Sequence, residues 1–291
     1  MSNPKHLKSG EGRNETGFLI VGAGRGGTSL LMGLLDGHSE LEIGYELHAI
    51  GCLMGFDLPD AAREHRAAMM EYRIDEFRRR CDEEAARHPD KLWGNKITSE
   101  QIYGLHDHNV VNGSREDETQ AFFQGHFADI PVIFILRDGR SCVRSKLART
   151  TQDLAHAISR WKYSVRMCQQ LKRQHAQLHV LKYEDLLLDP EGTLRGVCRF
   201  LGVEYQAGML QGVANEKMLS EYRSSKIDKS KLSLRGVPPL SIPLLLDDLR
   251  ALDYISDLQY WLQRIRYNRW FGVAMAGLAA GLGLLLLVSL L

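Results

Sequence analysis

Three times along this chain a short apolar run stops at a polar turn and gives way to a helix-like stretch. The first run, Phe18 to Val21, enters the glycines of "VGAGRGGTSLL" and is followed by "TSLLMGLLDGH". The second puts five apolar residues, Val132 to Leu136, directly before the charged turn of "RDGRSCVRS". In the third, "LHVLKYEDLLLDPEGTLRGVCRFLGV" supplies a strand, a turn at Tyr183 to Asp185, and a helix opened by Pro190 and closed by Gly202. Strands that alternate with helices predict an α/β fold built on a doubly wound parallel sheet, with ligands beyond the carboxyl ends of its strands. All three turns occupy such positions. Lys91 to Asn95 reads as a further short strand. Residues 61–88, with Met69, Met70, Ile74 and Phe77 as a partial apolar stripe, read as one or two helices, and Asn109 to Thr119 as loop.

At 291 residues, 44% hydrophobic and 25% charged, the chain has the make-up of a globular protein with a sizeable core. A net charge of +1 gives no global field for nucleic acid, so no nucleic-acid partner is expected and any anion site is local. The five cysteines lack C-x-x-C spacing, which implies reduced thiols in a cytosol-like compartment and no metal site. Residues 1–15 read as a flexible tail with no signal-peptide core, and residues 16–256 as the body. At the other end, Trp270 to Leu291 contains no charged residue. As a helix it would span about 33 Å, close to the ~30 Å hydrocarbon thickness. Arg264, Arg266 and Arg269 precede it, with Tyr260, Trp261, Tyr267 and Trp270 as interfacial aromatics. The expectation is a basic, aromatic juxtamembrane segment over 257–269 and a C-terminal transmembrane helix over 270–291. The protein would then be a single-pass membrane protein with its body in the cytoplasm. Gly277 and Gly281 form a G-x-x-x-G that leaves a homodimer open.

The glycine-rich turn fits more than one motif. Gly22, Gly24 and Gly27 spell G-x-G-x-x-G, a dinucleotide fingerprint. The same stretch nearly spells the nucleotide-triphosphate loop, but Thr28 stands where its lysine belongs. Read a third way, Arg25, Gly26, Gly27, Thr28 and Ser29 make an anion cradle. Backbone N–H groups at a helix N-terminus join an arginine fork and two hydroxyls there. At the second turn Arg137 follows its strand immediately, and Ser145 lies eight residues on, inside the next helix. That spacing allows both to converge on one phosphate. Asp138 and Arg140 read as a structural ion pair, and Trp161 and Tyr163 as packing residues.

These motifs together resemble the sulfotransferase superfamily, whose members use 3'-phosphoadenosine 5'-phosphosulfate (PAPS). "RGGTSLL" is similar to the family's R-S-G-T-T-L-L loop for the 5'-phosphosulfate, and "LRDGRSCVRS" to its R-D-G-R-x-x-x-x-S element for the 3'-phosphate. "KYEDLLLDPEGTLRGVCRFLGV" resembles its Y-E-D-L…P…F-L-G segment, whose tyrosine, here Tyr183, belongs to the nucleotide pocket. The resemblance implies a P-loop-like sheet. Within the family the tyrosylprotein sulfotransferases are closest in pattern. Their D-A-H…G-E-E-T stretch is similar to "LLDGHSELEIGYELHA" and puts Glu46 at the general-base position. Their C-N-K-D-P lysine corresponds to Lys96 in "WGNKITSE". Gly26 replaces a loop serine and removes one hydroxyl donor. A later Ser/Lys stretch that closes over the nucleotide in the family has its counterpart in "YRSSKIDKSKLSLRG", with Ser225, Lys226 and Lys231 as candidates.

Sulfuryl transfer needs an acceptor hydroxyl deprotonated as it attacks. Glu46 is one candidate base and His48, two residues on, is its rival. Lys96, Arg25 and the loop amides would stabilise charge on the sulfuryl oxygens and the leaving phosphate. The expected activity is sulfuryl transfer from PAPS to a hydroxyl-bearing acceptor, with a lipid or other membrane-associated alcohol suggested by the anchor, and with no metal. A nucleotide kinase or NTPase, a dinucleotide oxidoreductase with Glu46 as ribose acid, and a tail-anchored nucleotide-binding protein without catalysis are the alternatives.

Overall fold

The computed structural model describes residues 15–58, 69–106 and 117–268. Five short strands form one parallel sheet: β1 (Phe18–Gly22), β2 (Leu41–Tyr45), β3 (Leu92–Lys96), β4 (Val132–Leu136) and β5 (Leu178–Lys182). Their order across the sheet is β2-β3-β1-β4-β5, and every pairing is parallel. From the central β1 the chain first builds one side of the sheet and then, after β3, the other. The C-terminal ends of β1 and its neighbours are therefore the point where an α/β sheet opens a crevice.

Side chains two apart along a strand share a face, and the two cores follow that period. Leu19, Val21, Val132, Phe134 and Leu136 join one buried cluster, while Phe18, Ile20, Ile133 and Ile135 join the other. On the first face pack α2 (Met70–Ala86), α5 (Leu154–Gln174) and α8 (Ser241–Ala251), through residues such as Phe77, Trp161 and Leu245. On the second pack α1 (Thr28–Asp36), α6 (Tyr183–Leu188) and α7 (Pro190–Leu201), through Leu31, Leu186 and Val197. Two further helices, α3 (Ser99–Tyr103) and α4 (Gly139–Arg149), leave the carboxyl ends of β3 and β4. Pro190 opens α7 beside an Asp189 side chain that accepts the Gly192 N–H, and Gly202 closes it at φ 73°.

The strand β2 carries no clear signal in the sequence. Its "LEIGY" has only Leu41 and Ile43 as buried aliphatics, and it lies at the sheet edge, where pairing with β3 rather than local pattern makes it a strand. β3 runs one residue later than the expected segment and ends on Lys96. The helix expected within residues 61–88 is observed over Met70–Ala86, and residues 59–68 are outside the described set. Cys52, Cys81, Cys142, Cys168 and Cys198 are all free and buried.

The membrane-spanning architecture is corrected. Among the described residues no helix is long and apolar enough to cross a membrane, so a C-terminal transmembrane helix and single-pass localisation are not supported. The expected span, Trp270 to Leu291, lies outside the described residues, as do Arg269, Gly277 and Gly281. Part of the expected juxtamembrane segment belongs to the body instead. Over 257–268 the chain is helical, Tyr260 is buried with its hydroxyl donating to Asp247 Oδ1 at 2.7 Å, and Arg264 pairs with the same carboxylate at 3.2 Å. Tyr260 therefore packs against α8 rather than standing free as an interfacial anchor.

Candidate active site

The carboxyl end of the sheet opens into a cavity of about 360 Å³. Its floor is the turn between β1 and α1. Two residues of that turn, Arg25 at φ 67° and Gly27 at φ 102°, take left-handed backbone conformations. At Gly27 glycine is required twice over, since a Cβ would also lie 2.2 Å from the Tyr183 ring. Helix α1 begins at Thr28 with no side-chain cap, so its first N–H groups have no intrahelical acceptor and its positive dipole end meets the cavity. Thr28 and Ser29 line that wall. Gly26 is held apart from the cavity: its N–H donates to the Ala23 carbonyl at 2.7 Å, and a Cβ there would approach the same oxygen to 2.5 Å. With this backbone the missing serine hydroxyl has no room.

The second wall follows from strand register. Tyr45 on β2 pairs with Lys96 on β3, and the Glu46 N–H continues the ladder to the Lys96 carbonyl at 2.8 Å. Glu46 thus leaves the sheet beside Lys96, and its carboxylate forms an ion pair with the lysine ammonium. The other carboxylate oxygen of Glu46 accepts from Gln101 Nε2 at 2.8 Å. Lys96 is 1% exposed and its ammonium lies 4.0 Å from the centre of the Tyr45 ring. Burial pushes the Lys96 ammonium below the ordinary lysine pKa, against the pull of the Glu46 charge. The Tyr45 hydroxyl lies 3.2 Å from Ser29 Oγ, and burial pushes it up to about 12. Glu46 is itself left-handed at φ 56°, a conformation that costs energy in a residue with a side chain. His48 is placed differently: it is outside the cavity lining, and its Nε2 lies 3.3 Å from Glu84 Oε1.

The third wall comes from β4 and α4. Arg137, first residue past β4, donates from Nη1 to the Arg25 carbonyl at 2.8 Å, and its guanidinium lies 4.5 Å from the centre of the Tyr183 ring. Its Nε is buried with no hydrogen-bond partner. Ser145 Oγ accepts from Arg25 Nε at 3.3 Å, and Ser145 and Arg137 both line the cavity. Asp138 and Arg140 form the expected structural pair at 2.6 Å. Trp161 is buried and donates from Nε1 to the Arg137 carbonyl at 3.0 Å, which holds the arginine's backbone.

The chain from 207 to 232 crosses this end of the sheet in short 3-10 turns. Tyr222 accepts a hydrogen bond from Arg25 Nη1, with the guanidinium 4.6 Å from the ring centre, and Glu221 pairs with the same nitrogen at 3.4 Å. Lys231 lines the cavity, and burial pushes its pKa down, with Arg137 among the charges that add to the shift. Ser225 and Lys226 are not among the lining residues; Ser224 is.

Several residues of this site were not singled out in the sequence. Tyr45 lies beside Glu46 in the quoted stretch, and an aromatic next to a candidate base was an available signal. Tyr222 likewise opens the Ser/Lys stretch. Glu100 and Lys146 carried none. Glu100 Oε2 accepts the Gly24 N–H at 2.7 Å, and its other oxygen pairs with Lys146, which is 2% exposed. Among the described residues no group of three His, Cys, Asp or Glu side chains is placed to hold a metal ion. The cavity thus gathers Arg25, Lys96, Arg137, Lys231 and a helix N-terminus together with three carboxylates, of which Glu46 is the one paired with Lys96. Such a site can hold a multiply charged anion next to a proton acceptor.

Residues 17–207 match the sulfotransferase family. The protein-tyrosine sulfotransferase A of Caenorhabditis elegans is 21% identical over 285 residues, covering 90% of this chain and 70% of the relative. Among solved structures, the sulfotransferase domain of the Synechococcus PCC 7002 olefin synthase superposes with a TM-score of 0.52 at 20% identity, covering 79% of this chain and 92% of that domain. The family match spans well over half of the chain and contains β1 to β5 with most of the residues that line the cavity, and this protein belongs to the sulfotransferase family, enzymes whose sulfuryl donor is PAPS.

Proposed function

We propose that the cavity at the carboxyl end of the sheet binds PAPS and transfers its sulfuryl group to an acceptor hydroxyl, with Glu46 as the general base. One observation carries this reading: Arg25, Lys96, Arg137 and the open N-terminus of α1 converge in a single cavity with the Glu46 carboxylate. The α1 N-terminus, Arg25, Thr28 and Ser29 take the 5'-phosphosulfate. Arg137, Ser145 and Lys231 take the 3'-phosphate, and the unpartnered Arg137 Nε is a donor free for it. Tyr183, packed on Arg137 and Gly27, supports the nucleotide pocket.

In the transfer step the acceptor oxygen attacks sulfur while the S–O bond to the 5'-phosphate breaks. The acceptor's proton passes to Glu46, and the electron pair of the broken bond stays on the phosphate. Lys96 and Arg25 stabilise the charge that builds on the sulfuryl oxygens and the leaving phosphate. Glu46 is favoured over His48 as base because it lines the cavity and His48 does not. Two of the four lone-pair directions of its carboxylate are engaged, by Lys96 and Gln101, which leaves acceptor capacity for a proton.

The acceptor is a hydroxyl. The expected lipid acceptor rested on the spanning helix and is not carried forward. The C. elegans relative is named for protein tyrosine, which makes a tyrosine peptide one arm of the test. The experiment is a calorimetric titration of the full chain with 3'-phosphoadenosine 5'-phosphate (PAP), ATP and NAD, followed by transfer from labelled PAPS to a tyrosine peptide and to a simple alkanol. Preferential binding of PAP is expected. Tighter binding of ATP or NAD would refute the PAPS reading, and ATP preference would return the kinase alternative.

A further inference from the structure

Tyr45 is an aromatic side chain beside Ser29, Lys96 and Glu46, three groups that this reading places around the reacting sulfur. It ends β2 in register with Lys96. Its hydroxyl lies 3.2 Å from Ser29 Oγ on the loop, its ring lies 4.0 Å beneath the Lys96 ammonium, and its chain neighbour is Glu46. Tyr45 also lines the cavity.

The contact with Ser29 has spare donor capacity. Two hydroxyls that meet can satisfy each other with one proton, and the second O–H is then free to donate elsewhere. The nearest place that needs such a donor is the region between Ser29, Arg25 and Lys96, where an anion would sit. The loop lacks one donor of its own, because Gly26 carries no side chain and has no room for one against Ala23. A phenol that keeps its proton across the working pH range suits that task, and burial holds Tyr45 in this neutral form. The ring contributes separately. A cation 4 Å over an aromatic face is held by the ring quadrupole, an effect that grows when the pair is desolvated, as the 1% exposed Lys96 is.

We infer that Tyr45 is a sulfuryl-binding residue: its hydroxyl donates to a sulfuryl oxygen of PAPS, and its ring holds Lys96 beside the departing phosphate. The inference rests on the reading of the cavity as the PAPS site. Tyr45 does not exchange its proton in the reaction. The acceptor's proton goes to Glu46, and the phenol O–H shortens its hydrogen bond as negative charge builds on the sulfuryl oxygens.

PAP and PAPS differ only by the sulfuryl group, which gives a test independent of the acceptor. The full chain and its Tyr45→Phe and Tyr45→Leu variants are titrated with each nucleotide, and slow sulfate release from PAPS to water is measured alongside. Tyr45→Phe is expected to bind PAP as the parent does and PAPS about tenfold more weakly, the scale of one hydrogen bond to a charged group. Sulfate release should fall at least as far. Tyr45→Leu also removes the ring, and its sulfate release should fall further than that of Tyr45→Phe. Equal weakening of PAP and PAPS in Tyr45→Phe would make Tyr45 a packing residue and overturn the inference, as would no change in either. Equal rates for the two variants would remove the role of the ring. If the parent chain binds neither nucleotide, the PAPS reading itself fails, a result distinct from any outcome in the variants.

Discussion

Lys96 is 1% exposed, yet its ammonium reaches the Glu46 carboxylate at the cavity wall. The two lie 50 positions apart and meet because β2 and β3 run parallel in a register that sets Tyr45 opposite Lys96. A buried ammonium keeps its charge only with a partner, and the carboxylate proposed as base is that partner. Proton acceptor and charge stabiliser are therefore structurally one unit.

Replacing Glu46 by Gln should lower transfer by about two to four orders of magnitude, the usual contribution of a positioned base, while PAP affinity stays within a few-fold of the parent. His48→Ala should retain most activity. A single-turnover assay with labelled PAPS checks both. Retained transfer in Glu46→Gln with loss in His48→Ala would reverse the assignment.

Lys96 also predicts an alkaline limb in the pH profile. Its folded pKa lies below the ordinary lysine value of 10.5, chiefly through burial. Transfer should fall as pH rises through that lowered value, because the stabilising cation is lost. Stability should move the opposite way in the same window. Between the lowered value and 10.5 the unfolded chain binds more protons than the folded one, so folding becomes more favourable as pH rises. Rate profiles and urea midpoints from pH 7 to 10.5 read both trends. The rate limb should persist in Tyr45→Phe, since the Tyr45 phenol titrates only near 12.

Glu221 holds the Arg25 guanidinium at 3.4 Å, on the fork assigned to the phosphosulfate. An exposed carboxylate of this kind contributes about 1 kcal/mol or less, so Glu221→Gln should tighten PAP binding by about two- to fivefold. Calorimetry at fixed ionic strength measures it. An unchanged affinity would mean that Arg25 does not exchange this partner for the ligand.

The Glu100–Lys146 pair lies under the entry of the loop, with Gly24 donating to the same carboxylate. Lys146→Met leaves that carboxylate without its cation and should cost about 3 kcal/mol in urea unfolding. PAP affinity should fall as well, because the Gly24 anchor loosens. Adding Glu100→Gln to Lys146→Met should restore part of the stability. A double variant no more stable than the single one would show that the pair is not coupled.

The sequence by itself determined four of the five strands and the candidate residues at the turns that follow them. Strand-to-helix alternation is a local pattern, and Arg25, Glu46, Lys96, Arg137 and Tyr183 each sit at or just past a strand end, where a parallel sheet gathers its ligand groups. Edge strand β2 was not legible, since its pairing with β3 rather than its composition makes it a strand. The choice between Glu46 and His48 was not legible either. Two residues apart in sequence, they are separated by left-handed turns at φ 56° and 61° that send one into the cavity and the other toward Glu84. Tyr45 over Lys96 and the Glu100–Lys146 anchor are contacts between residues about 50 positions apart. Apolar periodicity and turn chemistry act over a few residues, whereas such pairs form only when sheet register and helix packing bring distant side chains together. Tertiary structure alone decided them.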